Sequence, residues 1–147
     1  MQYTVEMTID LPRERVIELF DDPDNLPKWQ EGLQSFEHID GELGKPGGRS
    51  RLTYDMGNRV VKMIETIETR SLPDEFTALY EADNVWNRVA NRFHEHGEGQ
   101  TLWQIETEFR FTGLMRLFAL FMRKAFPKQT LETMESFVAF AEKQDIA

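Results

Sequence analysis

Polar side chains set among apolar ones are the features of this 147-residue sequence that could support chemistry. In one segment, 59–70, the more apolar alternate set reads Val61, Met63, Glu65 and Ile67. If this set faces inward, burial raises the pKa of the Glu65 carboxyl and makes it a candidate general acid or base. A register shift of one residue would instead leave Glu65 in solvent. Glu65 is therefore one catalytic candidate, and Tyr80, assigned to the same interior, is the other.

The same alternation assigns inner faces to three more segments, 75–82, 85–95 and 101–111. Their inward polar residues are Tyr80, Asn87, Asn91 and Thr107. A buried polar group costs free energy unless it has a partner, so a polar cluster on an apolar face indicates a ligand pocket. The alternative is that these side chains bond to one another or lie at a wet strand end. The predicted pocket wall consists of Met63, Tyr80, Asn87, Val89, Asn91, Trp103, Ile105, Thr107, Phe118, Phe121 and Met122.

Metal and cofactor chemistry finds little support in the sequence. His94 and His96 lie on one side of a predicted strand, a spacing that zinc sites can use, but His38 is on another strand and no third ligand is evident. The sequence contains no cysteine, which excludes thiolate catalysis and cysteine-bound zinc. Neither a glycine-rich phosphate loop nor an HExxH pattern occurs. We therefore expect no metal site and no cofactor.

Charge, length and hydropathy narrow the class of protein further. The net charge of −9 argues against a nucleic-acid binder, which would present a basic surface. Residues 2–9 alternate from the start, with no basic or apolar leader, so we expect no signal peptide and a cytoplasmic location. The apolar run at 114–126 is too short and too charged to cross a bilayer. The length fits a single domain, residues 1–147.

The elements that position the candidate residues follow from the spacing of apolar side chains. A strand is predicted at 2–9, then a helix from Pro12 capped by Asp10, and a second short helix at 24–31. Six further strands are predicted at 33–40, 49–56, 59–70, 75–82, 85–95 and 101–111. The short connections between them make neighbouring strands antiparallel. Apolar residues at intervals of three and four predict a long helix over 114–142, with a kink or break at Pro127.

Seven antiparallel strands and one long amphipathic helix can bury their apolar faces only if the sheet curls around the helix, which gives an α+β fold. This layout resembles the START-like (SRPBCC) superfamily, and within it the bacterial polyketide cyclase/dehydrase group related to the Bet v 1 allergens. The supporting motifs are the run at 20–29 (FDDPDNLPKW), Gly47-Gly48-Arg49 before the third strand, and Ile67-Glu68 followed by Pro73. The resemblance implies a helix-grip fold, β-α-α-β6-α, over the whole chain.

The resemblance also implies a cavity between the sheet and the long helix. Its members include lipid carriers, quinone-binding proteins, aromatase/cyclases and stress regulators, and they share no universal catalytic set. We therefore expect binding of a hydrophobic or amphipathic small molecule that is lipid-, quinone- or polyketide-like. The alternatives are a metal-free cyclase/dehydrase lyase using Glu65 or Tyr80, and a protein- or membrane-contacting module. The enzyme alternative is less favoured, because it calls for a titratable pair inside the cavity and the sequence offers no such pair beyond Glu65.

Residues 114–128 combine an apolar surplus with basic charge. The stripe expected to lie on the sheet consists of Leu114, Leu117, Phe118, Phe121, Met122 and Ala125. The apolar residues left on the flanks are Met115, Ala119, Leu120 and Phe126. Such a patch, beside four basic residues and no acid, can contact an anionic membrane, pack under the two short helices, or bury in a homodimer. The last two are favoured, because domains of this size commonly dimerise through such patches.

Overall fold

A computed structural model describes residues 1–145, and its elements follow the predicted order. In chain order they are β1 (Gln2–Ile9), α1 (Arg13–Phe20), α2 (Leu26–Trp29), β2 (Leu33–Asp40), β3 (Arg49–Asp55), β4 (Val60–Ser71), β5 (Glu75–Ala82), β6 (Val85–Glu95), β7 (Thr101–Phe111), α3 (Leu114–Phe121) and α4 (Ala125–Gln144). A short 3₁₀ turn, Pro23–Asn25, leads into α2. The α+β helix-grip class is confirmed: a curved antiparallel sheet wraps around a long C-terminal helix.

The sheet is antiparallel throughout and has the strand order β1-β7-β6-β5-β4-β3-β2. Consecutive strands from β2 to β7 are neighbours, and β1 joins the far side of β7. The two edges are therefore β1 and β2. Register shifts interrupt the β2–β3 ladder between Leu33 and Ser35 and again between His38 and Asp40.

The glycine pair before β3 has a steric cause. Gly47 N–H donates to the Ile67 carbonyl (2.8 Å), and Ile67 N–H donates to the Gly48 carbonyl (3.0 Å), so the β2–β3 loop is tied to β4. A Cβ atom on Gly48 would lie 2.4 Å from the Glu42 carbonyl oxygen. No larger residue fits there without moving backbone, so the loop depends on glycine at this position.

An aromatic cluster fills one end of the curved sheet. Its centre is Phe20 on α1, whose ring lies 5.0 to 6.1 Å, centroid to centroid, from five others. Those rings belong to Trp29, Phe76, Phe93, Trp103 and Phe137. Such edge and offset contacts stabilise a core beyond the burial of area alone. This end of the sheet is therefore closed by side chains from both termini of the chain.

Helix α4 supplies the long amphipathic face. Met134, Phe137 and Ala141 are fully buried and recur at intervals of three and four. The helix also packs along β1, where the Tyr3 hydroxyl and the Thr130 hydroxyl share a hydrogen bond of 2.7 Å. Residues 125–144 thus provide the helix that the sheet grips.

The orientation predicted for residues 114–125 is wrong. Leu114, Phe118 and Phe121 of the expected inward stripe are 87%, 52% and 79% exposed, whereas Ala119, expected on a flank, is buried. The reason is that α3 contacts the end of β7, whereas α4, which follows after the turn at 122–124, packs along β1. The small Ala119 side chain packs against the protein, and the sheet does not cover the larger apolar side chains of α3. Of the flank residues expected to pack beneath α1 and α2, Leu120 is 61% exposed and Phe126 instead packs against Phe109 and Phe111.

Two local predictions also need correction. The break in the C-terminal helix falls at residues 122–124 and not at Pro127, which lies in the first turn of α4, where a missing N–H costs nothing. Asp10 does not cap α1, whose N-cap is Pro12 without a side-chain hydrogen bond. Asp10 lies too far upstream, and its N–H instead donates to Glu142 (2.9 Å). Among the described residues, no helix has the length and apolar character needed to span a membrane.

The core at the closed end gives a direct test of which helix grips the sheet. Phe137→Ala should lower the free energy of unfolding by about 3–5 kcal/mol, because it opens a cavity inside the aromatic cluster. Phe121→Ala, at a side chain that is 79% exposed, should change it by about 0.5 kcal/mol or less. Urea denaturation of both variants measures the difference. Equal losses would mean that α3 also packs on the sheet.

Candidate functional site

A pocket of about 390 Å³ occupies the other half of the curved sheet, beneath α4. Its wall comes from the inner faces of β3 to β7, from α2 and the turn before it, and from Gln129, Thr130 and Thr133 on α4. The aromatic cluster bounds it at the closed end through Phe20, Trp29 and Trp103. A cavity therefore exists between sheet and helix, where the sequence predicted one.

Most of the predicted wall residues lie on this wall. They are Met63, Tyr80, Asn87, Val89, Asn91, Trp103, Ile105 and Thr107, together with Glu65. The exceptions are Phe118, Phe121 and Met122, for which the prediction is wrong. These three belong to α3 and the turn after it, which lie outside the interface between the sheet and α4, so their side chains are exposed.

A row of cross-strand partners forms the polar part of the wall. Ser50 on β3 is opposite Glu65 on β4, Glu65 is opposite Tyr80 on β5, and Tyr80 is opposite Asn87 on β6. Because directly opposite residues of antiparallel strands share one face, the register alone brings these four side chains together. Ser50 and Glu65 are buried, at 4% and 9% exposure. The inward assignment of Glu65 therefore holds.

The Glu65 carboxylate is held by the Tyr80 phenol. Tyr80 O–H donates to Glu65 Oε2 at 2.9 Å. Burial raises the pKa of the Glu65 carboxyl, and the hydrogen bond from Tyr80 offsets part of that rise. Burial and the neighbouring Glu65 charge raise the pKa of Tyr80 well above its usual value. The pair can exchange a proton with a ligand through Glu65, whereas Tyr80 remains a hydrogen-bond donor.

A second phenol, that of Tyr54, also lies on the pocket wall. Tyr54 on β3 is on the wall, and burial together with the Glu65 charge raises its pKa to about 12. Its hydroxyl donates to Gln30 Oε1 at 3.4 Å, a long and weak hydrogen bond. Tyr54 therefore keeps its proton at neutral pH and can offer it to a polar ligand atom.

The amides of the wall are bonded within the protein. Asn87 Nδ2 donates to Thr107 Oγ1 (2.7 Å) and to the Glu108 carbonyl (3.0 Å). Trp103 Nε1 donates to Asn91 Oδ1 at 3.0 Å. Both sequence interpretations of the polar cluster thus apply in part: these groups satisfy one another, and they also line a pocket.

Trp29 carries an unpartnered donor at this wall. Its Nε1 atom is buried and has no hydrogen-bond acceptor among residues 1–145. A buried donor without a partner costs about 1–3 kcal/mol, and the Nε1 atom itself is closed to solvent.

Sequence reasoning missed several wall residues. On β3 they are Ser50, Leu52 and Tyr54, and on α4 they are Gln129, Thr130 and Thr133. The β3 set had a usable signal, since these residues alternate and lie opposite Glu65, Met63 and Val61. The α4 set had none, because the polar residues of one helix turn do not reveal that they border a cavity. Arg70 and Asp21, also on the wall, form an ion pair at 2.7 Å.

The histidines lie away from the pocket. His94 Nε2 is 2.8 Å from Gln104 Oε1, and His38 Nε2 is 2.8 Å from the Gly41 carbonyl oxygen. Within residues 1–145, no three His, Asp or Glu side chains cluster as metal ligands would.

Comparison with known families decides the classification. The profile described as polyketide cyclase / dehydrase and lipid transport matches residues 1–142. The chain belongs to this family. Its membership confirms the START-like resemblance inferred from the layout and motifs. A comparison with curated protein sequences finds no match.

Solved structures agree with this family on the fold. Ara h 8.0201 superposes with a TM-score of 0.77 at 12% identity, covering 97% of this chain and 98% of its own. The Zhui aromatase/cyclase from Streptomyces sp. R1128 gives 0.77 at 13% identity, with coverages of 98% and 94%. Norcoclaurine synthase from Thalictrum flavum, in complex with a transition-state analogue, gives 0.74 at 13%, with coverages of 98% and 95%. At such identities these proteins are similar to the chain in fold alone.

Burial of Glu65 makes stability depend on pH in a defined direction. The pKa of the Glu65 carboxyl is higher in the folded state than in the unfolded state. The resulting contribution to stability is therefore fully present below the unfolded-state pKa, and it is lost as pH rises through the folded-state pKa. Wild type should therefore lose stability relative to Glu65→Gln as pH rises above about 4. The loss should be about 1.4 kcal/mol for each unit by which the folded-state pKa of Glu65 exceeds its unfolded-state pKa. Urea denaturation at a series of pH values measures this. A difference that is flat with pH would contradict the burial of Glu65.

Tyr80→Phe tests the hydrogen bond within the pair. The Tyr80 O–H stabilises the carboxylate form of Glu65, so its removal should raise the pKa of Glu65 further. Carboxyl-observed ¹³C NMR titration of both proteins gives the two midpoints. A lower midpoint in Tyr80→Phe would rule out the assigned donor.

Proposed function

We propose that this protein binds a neutral, amphipathic small molecule of lipid, quinone or polyketide type between the sheet and α4, in the cytoplasm. The observation that carries the proposal is the pocket, because a mostly apolar wall with one row of polar groups is typical of ligand sites. Its volume of about 390 Å³ lies within the range of small-molecule sites, about 300–1,000 Å³. The family description, which includes lipid transport, supports the same class of ligand.

The charges of the wall favour a ligand without a carboxylate. Arg70 is the one cation among the described wall residues, and it is paired with Asp21. Glu65 in its ionised form would repel an anionic group. A carbonyl or hydroxyl group is better matched, since Tyr54 can donate a hydrogen bond and Glu65 can accept or donate one.

A second function, proton transfer, is favoured by the Glu65–Tyr80 pair. This is the titratable pair that a cyclase or dehydrase of the family would need, and it lies on the pocket wall. In a dehydration, the Glu65 carboxylate would take a proton from the carbon beside a ketone. The β-hydroxyl would then leave as water with that proton, which leaves an enone and restores the carboxylate. Tyr80 would position the carboxylate.

Filling the pocket should weaken ligand binding. Val89→Phe places a larger side chain on the wall and should weaken binding of a short-chain quinone by about tenfold or more. Native mass spectrometry of the protein with the quinone, and of the protein as purified, measures the bound fraction. The matched control is Val60→Phe, at a side chain that is 56% exposed.

The contrasting ligand is a fatty acid of similar length. Because the Glu65 carboxylate would repel its charged end, it should bind about tenfold more weakly than the quinone. A protein that carries no small molecule and takes up neither ligand would refute the binding proposal. Equal effects of Val89→Phe and Val60→Phe would place the ligand elsewhere.

Glu65→Gln separates binding from catalysis. The amide keeps the size of the carboxyl, so quinone affinity should change by less than about threefold, while dehydration of an aryl β-hydroxy ketone should slow by about a hundredfold or more. Enone absorbance follows the reaction, and Tyr80→Phe should shift its pH profile upward. A rate that Glu65→Gln leaves unchanged would remove the enzyme alternative.

A further inference from the structure

The outer face of α3 is an apolar surface without a partner in residues 1–145. Six large apolar side chains in or next to this helix are between 42% and 87% exposed. They are Leu114, Leu117, Phe118, Leu120, Phe121 and Met122. Exposed apolar clusters of this kind mark interaction surfaces in soluble proteins.

The charge around this surface has one sign. Arg116, Arg123, Lys124 and Lys128 are all exposed, and no acid occurs between residues 113 and 131. None of the four forms an ion pair with a residue in the described range 1–145. The chain carries −9 overall and this segment +4, so the remainder carries −13. The segment is therefore a basic, apolar patch on an acidic protein.

This charge argues against a second copy as the occupant. In a two-fold dimer the same patch meets itself, so the four basic groups of one copy would approach the four of the other. Repulsion of like charges opposes that contact most strongly when the apolar surface around them excludes water. The homodimer expected from the sequence is therefore disfavoured at this surface.

We propose that α3 and the turn 122–124 dock on an anionic lipid bilayer. The exposed apolar side chains would enter the interfacial region, and the four basic groups would contact phosphate and carboxylate headgroups. Arg and Lys side chains suit this position because their stems lie along apolar surface while the charge reaches water. A helix of eight residues cannot cross the bilayer, so the contact is peripheral.

The position of α3 gives the docking a consequence for the pocket. Thr112, just before α3, donates its N–H to the Asn84 carbonyl (3.0 Å) in the β5–β6 turn. Ala82 and Val85, which flank that turn, belong to the pocket wall. A docked α3 would hold this end of the pocket at the headgroup layer, whatever molecule the pocket binds.

Co-sedimentation with vesicles tests the proposal. The intact protein should sediment with vesicles of phosphatidylcholine containing phosphatidylserine and not with pure phosphatidylcholine. Phe121→Asp should lower the partition coefficient by about tenfold or more. Arg123→Gln combined with Lys124→Gln should lower it by about thirtyfold. Because these side chains are exposed, thermal melts should match those of wild type.

Matched controls lie away from α3. Leu43→Asp, at a side chain that is 54% exposed in the β2–β3 loop, and Lys45→Gln with Lys143→Gln should leave vesicle binding unchanged. Equal binding to both vesicle types, or equal losses in controls and test variants, would overturn the proposal. So would a stable dimer, seen by light scattering, that Phe121→Asp dissociates while no vesicle binding occurs. That result would assign the patch to a second copy.

Discussion

The packing of Phe137 against Phe20, Trp29 and Trp103 joins the C-terminal helix, the N-terminal helices and the sheet in one set of contacts. The partners lie on α1, α2 and β7, three different elements of the fold. This packing also divides the interior. On one side the rings pack against one another, and on the other lies the pocket, whose wall includes Phe20, Trp29 and Trp103. The cavity thus depends on a tightly packed region beside it.

The polar row Ser50–Glu65–Tyr80–Asn87 works against stability. An aliphatic residue at position 65 would remove a buried carboxyl whose desolvation is offset, within residues 1–145, by one side-chain hydrogen bond, the one from Tyr80. Strand register nevertheless places all four side chains on the concave face, where they can meet a ligand. Natural proteins keep such groups mainly where binding or catalysis needs them, because selection for stability alone would replace them. The row is therefore the part of the sheet that most clearly indicates a functional role.

The strands and their inner faces were predictable because a period of two leaves only two choices, and polar residues such as Arg88 and Arg92 mark the outer one. Glu65 was the ambiguous case, and its pairing with Tyr80 could not be read without the register. The orientation predicted for the helix after β7 was wrong for a different reason. A period of 3.6 identifies an apolar stripe but not the surface that covers it, and here Ala119 faces the protein while Phe121 does not. The family resemblance gave the fold and a cavity, and could not give the charge of its wall.

The sheet does not close, and its two edges are treated differently. β1 is flanked by α4, whereas β2 has no further strand beside it among residues 1–145. The two register shifts along β2 bend it and interrupt the even spacing of free N–H and C=O groups. A strand from another molecule could form few consecutive backbone hydrogen bonds there, so the register shifts disfavour edge-to-edge aggregation. Straightening β2 would therefore present a longer run of free N–H and C=O groups to a strand of another molecule.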